Sequence, residues 1–106
     1  SRLPCSSSLA TPASQVFSGA LPRGGRQDFL VALGYGHCYT AIAVATAYGR
    51  DLDLRLWDPN GRRVAADTRN DNFPHVQHCA TLPGPHRVQV EMNEGQGPFV
   101  MQVFGQ

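Results

Sequence analysis

The sequence predicts an all-β fold, an antiparallel β-sandwich or jelly roll of seven or eight short strands. Two observations carry this prediction. Within short segments, apolar and polar residues alternate at a period of two, and turns separate these segments at regular intervals. Glycine and proline are abundant (11 and 8 of 106 residues), as expected for a chain with many turns. No segment has a convincing helical pattern, and 106 residues suffice for one domain.

The clearest element is a hairpin that begins at Asp51. Leu52, Leu54 and Leu56 alternate with charged and aromatic residues, which is typical of a strand with one buried face. Asp58-Pro-Asn-Gly61 then supplies turn chemistry, because proline presets φ and Asn-Gly tolerates positive φ. The chain returns through residues 62–64, so the apolar face of the hairpin should line the core.

The other predicted strands follow the same reasoning. They cover residues 14–21, 26–34, 37–48, 75–82, 86–92 and 99–104, with a polar loop over 67–74. The segment 37–48 contains four alternating alanines, so a helix is the competing interpretation. Its β-branched residues and the flanking Gly36 and Gly49 favour a strand. Both of its faces are apolar or small, which predicts a central strand covered on both sides.

Composition limits the possible functions. The formal charge is +1, so no global field attracts nucleic acid or a membrane surface, and no apolar run is long enough to span a bilayer. Residues 1–13 are small and polar with two prolines, and we expect a flexible leader or linker there and the domain over 14–106. The chain does not begin with Met, which suggests a processed or excised piece.

Three cysteines indicate the redox environment. Cys38 and Cys79 lie within predicted strands, and no pair has the C-x-x-C spacing of a thiolate metal site. We expect a Cys38–Cys79 disulfide in a secreted, periplasmic or cell-surface protein, since a small sandwich gains stability from such a link. The alternative is two buried thiols that act as small apolar groups. Cys5 is expected to be unpaired within the domain or bonded to another molecule.

The order of motifs resembles the bacterial pre-peptidase C-terminal domain family over residues 14–106. The matching segments are 34–39, 51–61, 67–72, 83–90 and 95–103. The resemblance implies a non-catalytic β-sandwich jelly roll appended to a secreted bacterial protein, often a peptidase. It also implies substrate binding or calcium binding, as in related modules of clostridial collagenases. His86 and Arg87 depart from the family, where tyrosines are common, and the paired cysteines mark a variant.

Acidic residues suggest a calcium site, because calcium prefers six to eight oxygen ligands. The candidate ligands are Asp51, Asp53, Asp58, Asp67 and Asp71, with Asn60 and Asn72 nearby in sequence. Their spacing fits no single-loop calcium motif, so two loops would have to meet. The favoured explanation is that turns select Asp and Asn for local hydrogen bonds. No other cofactor is predicted.

A binding surface is predicted at Trp57, Asp58, Asn60 and Phe73. An exposed aromatic ring on a sheet face binds carbohydrate or peptide by stacking. Trp57 occupies the set of alternate strand positions opposite to that of the three leucines and is therefore expected to face outward. The alternative, held equally, is that Trp57 packs on a neighbouring strand or under the Phe73 loop.

The four histidines do not form a recognisable site. His75 and His78 are three residues apart on one strand and face opposite sides, so a zinc site would need partners from other strands. Scattered surface or half-buried histidines are the favoured interpretation of His37, His75, His78 and His86.

The sequence predicts the function of the protein only at the level of a broad functional class. Serine, histidine and aspartate are present, but nothing around them matches a catalytic motif, so we expect no enzymatic activity. The predicted role is a non-catalytic accessory or binding domain for adhesion, substrate docking or assembly, with a protein or polysaccharide ligand. The alternatives are a structural subunit of a larger extracellular assembly, joined through strand edges or Cys5, and a calcium-dependent binding module.

Overall fold

The computed structural model describes residues 11–46 and 49–105. Each predicted strand is present, although several bounds differ. The strands are β1 (Thr11–Pro12), β2 (Phe17–Leu21), β3 (Arg26–Leu33), β4 (Cys38–Ala45), β5 (Gly49–Trp57), β6 (Arg63–Asp67), β7 (His75–Cys79), β8 (Gly84–Gly95) and β9 (Gly97–Gly105). Eight strands of five residues or more and the two-residue β1 make the fold all-β, as predicted. The described residues include no helix that could cross a membrane.

The strands form two antiparallel sheets. Sheet I has the order β9-β4-β7, and β1 and β2 both pair with the other edge of β9. Sheet II has the order β3-β8-β5-β6. Of the strands of five residues or more, only β5 and β6 are consecutive in sequence and paired, which confirms the predicted hairpin. The other connections between these strands cross from one sheet to the other, as in a sandwich.

The apolar faces of both sheets meet in one core. The three leucines of β5 have 0–4% exposure, and Val88, Val90 and Met92 of β8 have 0–1%. The largest buried side chain, Phe99 of β9, packs edge-on against the half-buried Phe29 at 6.1 Å between ring centroids. Since these residues have the parity predicted for the inner faces, the alternation in the sequence determines which side of each strand is buried.

Strand β4 corrects one expectation. It is central, as predicted, and its alanines Ala41, Ala43 and Ala45 face the core with 1–5% exposure. A Cβ at Gly49 would clash with Ala45, so small residues allow β4 and β5 to approach closely. The opposite face, with Ile42 and Val44, is only half-buried because it forms the outer surface of sheet I. The prediction that both faces are covered is therefore wrong. Ala47 and Tyr48 lie outside the described residues.

The structure differs from the predicted element bounds in two places, and each difference has a clear reason. β1 lies within the segment predicted as a linker, because its backbone pairs with the end of β9. The glycine-rich segment 93–98, predicted as a turn, is instead mostly strand: β8 continues to Gly95, and β9 begins at Gly97. Composition signalled a turn, but the backbone of β8 pairs with β5 as far as Gly95. Cys5 lies outside the described residues.

Candidate functional site

Three loops converge at one end of the sandwich, which we call the Tyr35 end. They are the β3–β4 loop (34–37), the β5–β6 loop (58–62) and the β7–β8 loop (80–83). Their convergence follows from register. The end of β3 pairs with the start of β8, and Arg87 near that start pairs with Trp57 at the end of β5. In sheet I, Cys38 at the start of β4 pairs with Cys79 at the end of β7.

The β3–β4 loop has a fixed backbone and an exposed ring. The N–H of Gly36 donates to the carbonyl of Ala80, and the N–H of Ala80 donates to the carbonyl of His37, both at 2.9 Å. The N–H of Gly34 donates to the Tyr39 hydroxyl at 2.8 Å. Gly36 has φ +82°, a conformation that favours glycine. On this loop Tyr35 is 69% exposed.

The predicted disulfide closes the base of this loop. Cys38 and Cys79 are direct neighbours across β4 and β7, and they are bonded to each other. The alternative of two buried thiols is therefore wrong. Because β7 is a five-residue strand at the edge of sheet I, the covalent link fixes that edge next to the two loops of the Tyr35 end.

Asp58 shapes the β5–β6 turn. Its Oδ1 accepts hydrogen bonds from the N–H groups of Asn60 and Arg62, both at 2.9 Å. These bonds, led by the one from Arg62, hold the pKa of Asp58 below its usual range. Gly61 provides the reversal at φ +85°. Asp58 is buried at 7% exposure and its carboxyl organises the turn, whereas Asn60 is exposed and accessible to a ligand.

Trp57 lies on the outer face of sheet II, as its parity predicts. The guanidinium carbon of Arg87, from the neighbouring strand β8, lies 4.0 Å from the centre of its ring. The ring is half-buried. Both interpretations made from the sequence are thus partly correct, since Trp57 faces outward and also packs on a neighbouring strand.

Phe73 does not join the other predicted binding residues. It is 56% exposed, but its loop follows Asp71, whose carbonyl accepts from Leu52 at the beginning of β5. Leu52 is five residues from Trp57, or about 17 Å along a strand. The predicted surface of Trp57, Asp58, Asn60 and Phe73 is therefore divided between the outer face of sheet II, the Tyr35 end and the opposite end.

The five predicted calcium ligands are also divided. Asp58 is occupied in its turn, and Asp67 is bonded to Arg69 at 2.9 Å and accepts from the N–H of His75 at 3.0 Å. The Arg69 side chain, aided by backbone N–H groups, holds the pKa of Asp67 far below its usual range. Asp71 accepts from the N–H of Phe73 at 2.9 Å. These three carboxylates thus have local roles.

Asp51 and Asp53 are different, because each has a buried oxygen without a partner. They are 4% and 5% exposed. One oxygen of Asp51 accepts from Asn93 at 3.0 Å, and one of Asp53 lies 3.5 Å from Arg55; Oδ1 of each has no partner among the described residues. Burial, followed by the charge of Asp51, raises the pKa of Asp53. Among the described residues, no group of three or more His, Cys, Asp or Glu side chains could hold a metal ion. The calcium alternative rests on the sequence alone.

A histidine pair lies inside the sandwich and was not predicted from the sequence. His78 of β7 and His86 of β8 face each other from opposite sheets, with ring centroids 5.8 Å apart. His86 is fully buried, and its Nδ1 bonds to the carbonyl of Gly84 at 3.0 Å. His37 and His75 are exposed, as expected for scattered histidines. The alternation of inward and outward residues along each strand could have predicted the pair, since His78 shares the inward face of Val76, and His86 that of Val88.

No protein-family model and no curated protein sequence matches the chain, so the resemblance to the pre-peptidase C-terminal domain family stays a prediction. A solved structure is similar in fold: Aeromonas hydrophila PliG, a periplasmic lysozyme inhibitor of g-type lysozyme. The match covers 98% of this chain and 93% of that chain, with a TM-score of 0.68 and 14% sequence identity. At this identity the similarity concerns the fold, and it supports the predicted β-sandwich.

Proposed function

We propose that this chain is a non-catalytic binding domain of an extracytoplasmic bacterial protein, and that it binds a protein partner through the Tyr35 end. The observation that carries the proposal is the exposed Tyr35 on a backbone fixed by two hydrogen bonds to Ala80 and by the adjacent disulfide. Tyrosines are frequent hot spots of protein interfaces. A preformed loop also loses little conformational freedom on binding, which favours affinity.

The compartment and the partner class have separate support. A disulfide persists in oxidising compartments, which supports a secreted, periplasmic or cell-surface location. The structure of similar fold belongs to an inhibitor that acts on another protein, a g-type lysozyme. We therefore choose a g-type lysozyme as the first partner to test. Of the predictions made from the sequence, a binding domain with a protein ligand fits this proposal better than adhesion or assembly.

The experiment compares two exposed aromatic residues at opposite ends of the sandwich. Binding of the disulfide-intact chain to a g-type lysozyme is measured by calorimetry, together with inhibition of cell-wall lysis. Tyr35→Ala should weaken binding by about 30-fold, the effect of losing a 2 kcal/mol hot spot. Phe73→Ala is the matched control and should bind like the original chain. Equal affinities for both variants would reject the Tyr35 end, and no binding by the original chain would reject lysozyme as the partner.

The structural-subunit alternative depends on the sheet edges. β3 and β6 are the outer strands of sheet II, and β7 is an outer strand of sheet I. Strand edges pair with other chains when nothing blocks them. Sedimentation analysis over a range of concentrations tests this alternative: a chain that stays monomeric would reject self-assembly through these edges.

A further inference from the structure

The outer face of sheet II carries a depression lined by arginines. Its volume is about 400 Å³, and all four strands of the sheet contribute to it. The lining residues, which we call the arginine face, are Arg26, Arg55, Trp57, Arg63, Arg87 and Gln89. Trp57 pairs in register with Arg63 on one side and Arg87 on the other, so two arginines flank it on the neighbouring strands.

Acidic side chains position three of these four arginines without filling the depression. Arg55 bonds to Glu91 at 2.7 Å and lies 3.5 Å from Asp53, Arg26 lies 3.3 Å from Glu91, and Arg87 lies 3.2 Å from Asp28. None of these acids lines the depression. Arg63 is exposed and forms no ion pair with any residue in the described part of the chain.

The arrangement is prepared for an anionic ligand. Arg87 is held on the Trp57 ring at 4.0 Å, and the Arg55 side chain is only 21% exposed. Guanidinium groups form paired hydrogen bonds with carboxylates, and fixing them in advance reduces the entropy lost on binding. Three strand spacings separate the outermost strands, about 14 Å, so one small anion cannot reach all four arginines.

We propose that the arginine face binds an acidic polysaccharide that carries carboxylate groups along its length. An extended chain with repeated carboxylates can contact arginines from β3 to β6, which a compact anion cannot. Nucleic acid is a poorer fit, because single strands bind on stacking aromatic rings and the single ring of this face already holds Arg87. The proposal concerns a surface separate from the Tyr35 end and does not depend on the proposed function.

The single tryptophan of the chain provides the readout. Trp57 fluorescence is followed while the disulfide-intact chain is titrated with polygalacturonate, with dextran as the neutral polymer. Polygalacturonate should change the fluorescence saturably and more weakly at high salt, whereas dextran should have no effect. Absence of a saturable change would overturn the proposal. Tighter binding of dextran sulfate, polyglutamate or oligothymidylate would overturn the assignment to a carboxylated polysaccharide.

Two adjacent arginines provide a matched comparison. Arg63→Gln removes a charge from the arginine face and should weaken polygalacturonate binding at least tenfold. Arg62→Gln removes the same charge one residue away, from a side chain paired with Asp58 rather than lining the depression, and should change affinity less than twofold. Equal losses of affinity in the two variants would show that binding responds to net charge alone, and would overturn the proposed site. Tyr35→Ala should leave polygalacturonate binding unchanged, which separates this test from that of the proposed function.

Discussion

The imidazole rings of His78 and His86 lie 5.8 Å apart between the two sheets, and Nε2 of each ring is buried without a hydrogen-bond partner among the described residues. Charging His78 there is costly, because a buried cation loses hydration and faces a second imidazole. Burial, followed by the neighbouring His86, lowers the pKa of His78 from its usual value of 6.5. Asp58 opposes this shift, and Arg62 adds to it.

The first prediction concerns acid sensitivity. His78 has a lower pKa folded than unfolded, so the unfolded chain takes up its proton first as the pH falls. The free energy of unfolding should therefore be maintained above pH 6.5 and should decrease as the pH falls from 6.5 toward the folded pKa. Urea unfolding between pH 5 and 8 measures this loss.

Two variants isolate the contribution of His78. His78→Leu should reduce the loss of stability over this pH range, because the group that titrates is removed. His75→Leu, on the exposed side of the same strand, should retain the pH dependence of the original chain. A His78→Leu profile that matches the original would show that His78 does not control acid sensitivity.

The strands could be predicted from the sequence because alternation of apolar residues is a local property. The leucines of β5 and the valines of β8 each specify an inner face without reference to other strands. The candidate sites were harder to predict, since they depend on which loops share an end of the sandwich. Phe73 and Trp57 are both aromatic residues near turns, and only the register of β5 shows that they lie far apart. The fixed backbone at Tyr35 depends on Ala80, a contact between loops that are distant in sequence.

The second prediction concerns the disulfide. Cys38 and Cys79 are 41 residues apart in sequence, and a link that closes such a loop contributes about 4 kcal/mol in the chain-entropy model. The double variant Cys38→Ser, Cys79→Ser should lose about that much stability to urea unfolding. The original chain under reducing conditions should behave like the double variant, and a reduced chain as stable as the oxidised one would contradict the prediction.

The third prediction contrasts two buried aspartates with opposite shifts. Asp53 has a pKa raised mainly by burial, so its contribution favours folding at low pH and is lost as the pH rises through the folded pKa. Asp53→Asn should therefore increase stability at neutral pH. Asp67 has a strongly lowered pKa, so its contribution is present above 3.8, its usual value, and decreases as the pH falls below it.

Asp67→Asn is accordingly expected to destabilise the chain at neutral pH. It weakens the charged hydrogen bonds to Arg69 and to the N–H of His75, at a cost of about 2 kcal/mol. Thermal and urea unfolding of both variants at pH 7 and at pH 4 measure the two effects. If the two substitutions change stability in the same direction at pH 7, the assignment of opposite shifts is wrong.

The last prediction concerns calcium at Asp51 and Asp53. The unpartnered Oδ1 atoms of these residues are the strongest indication of a cation in the described structure, but Asp67 and Asp71 are already bonded to neighbouring groups and Asp58 lies in a distant turn. Two carboxylates are fewer ligands than calcium requires. We therefore expect millimolar calcium to leave the melting temperature unchanged relative to magnesium and to chelator. A calcium-specific increase that Asp53→Asn abolishes, and that Asp58→Asn does not, would establish a site at the start of β5 and reverse this expectation.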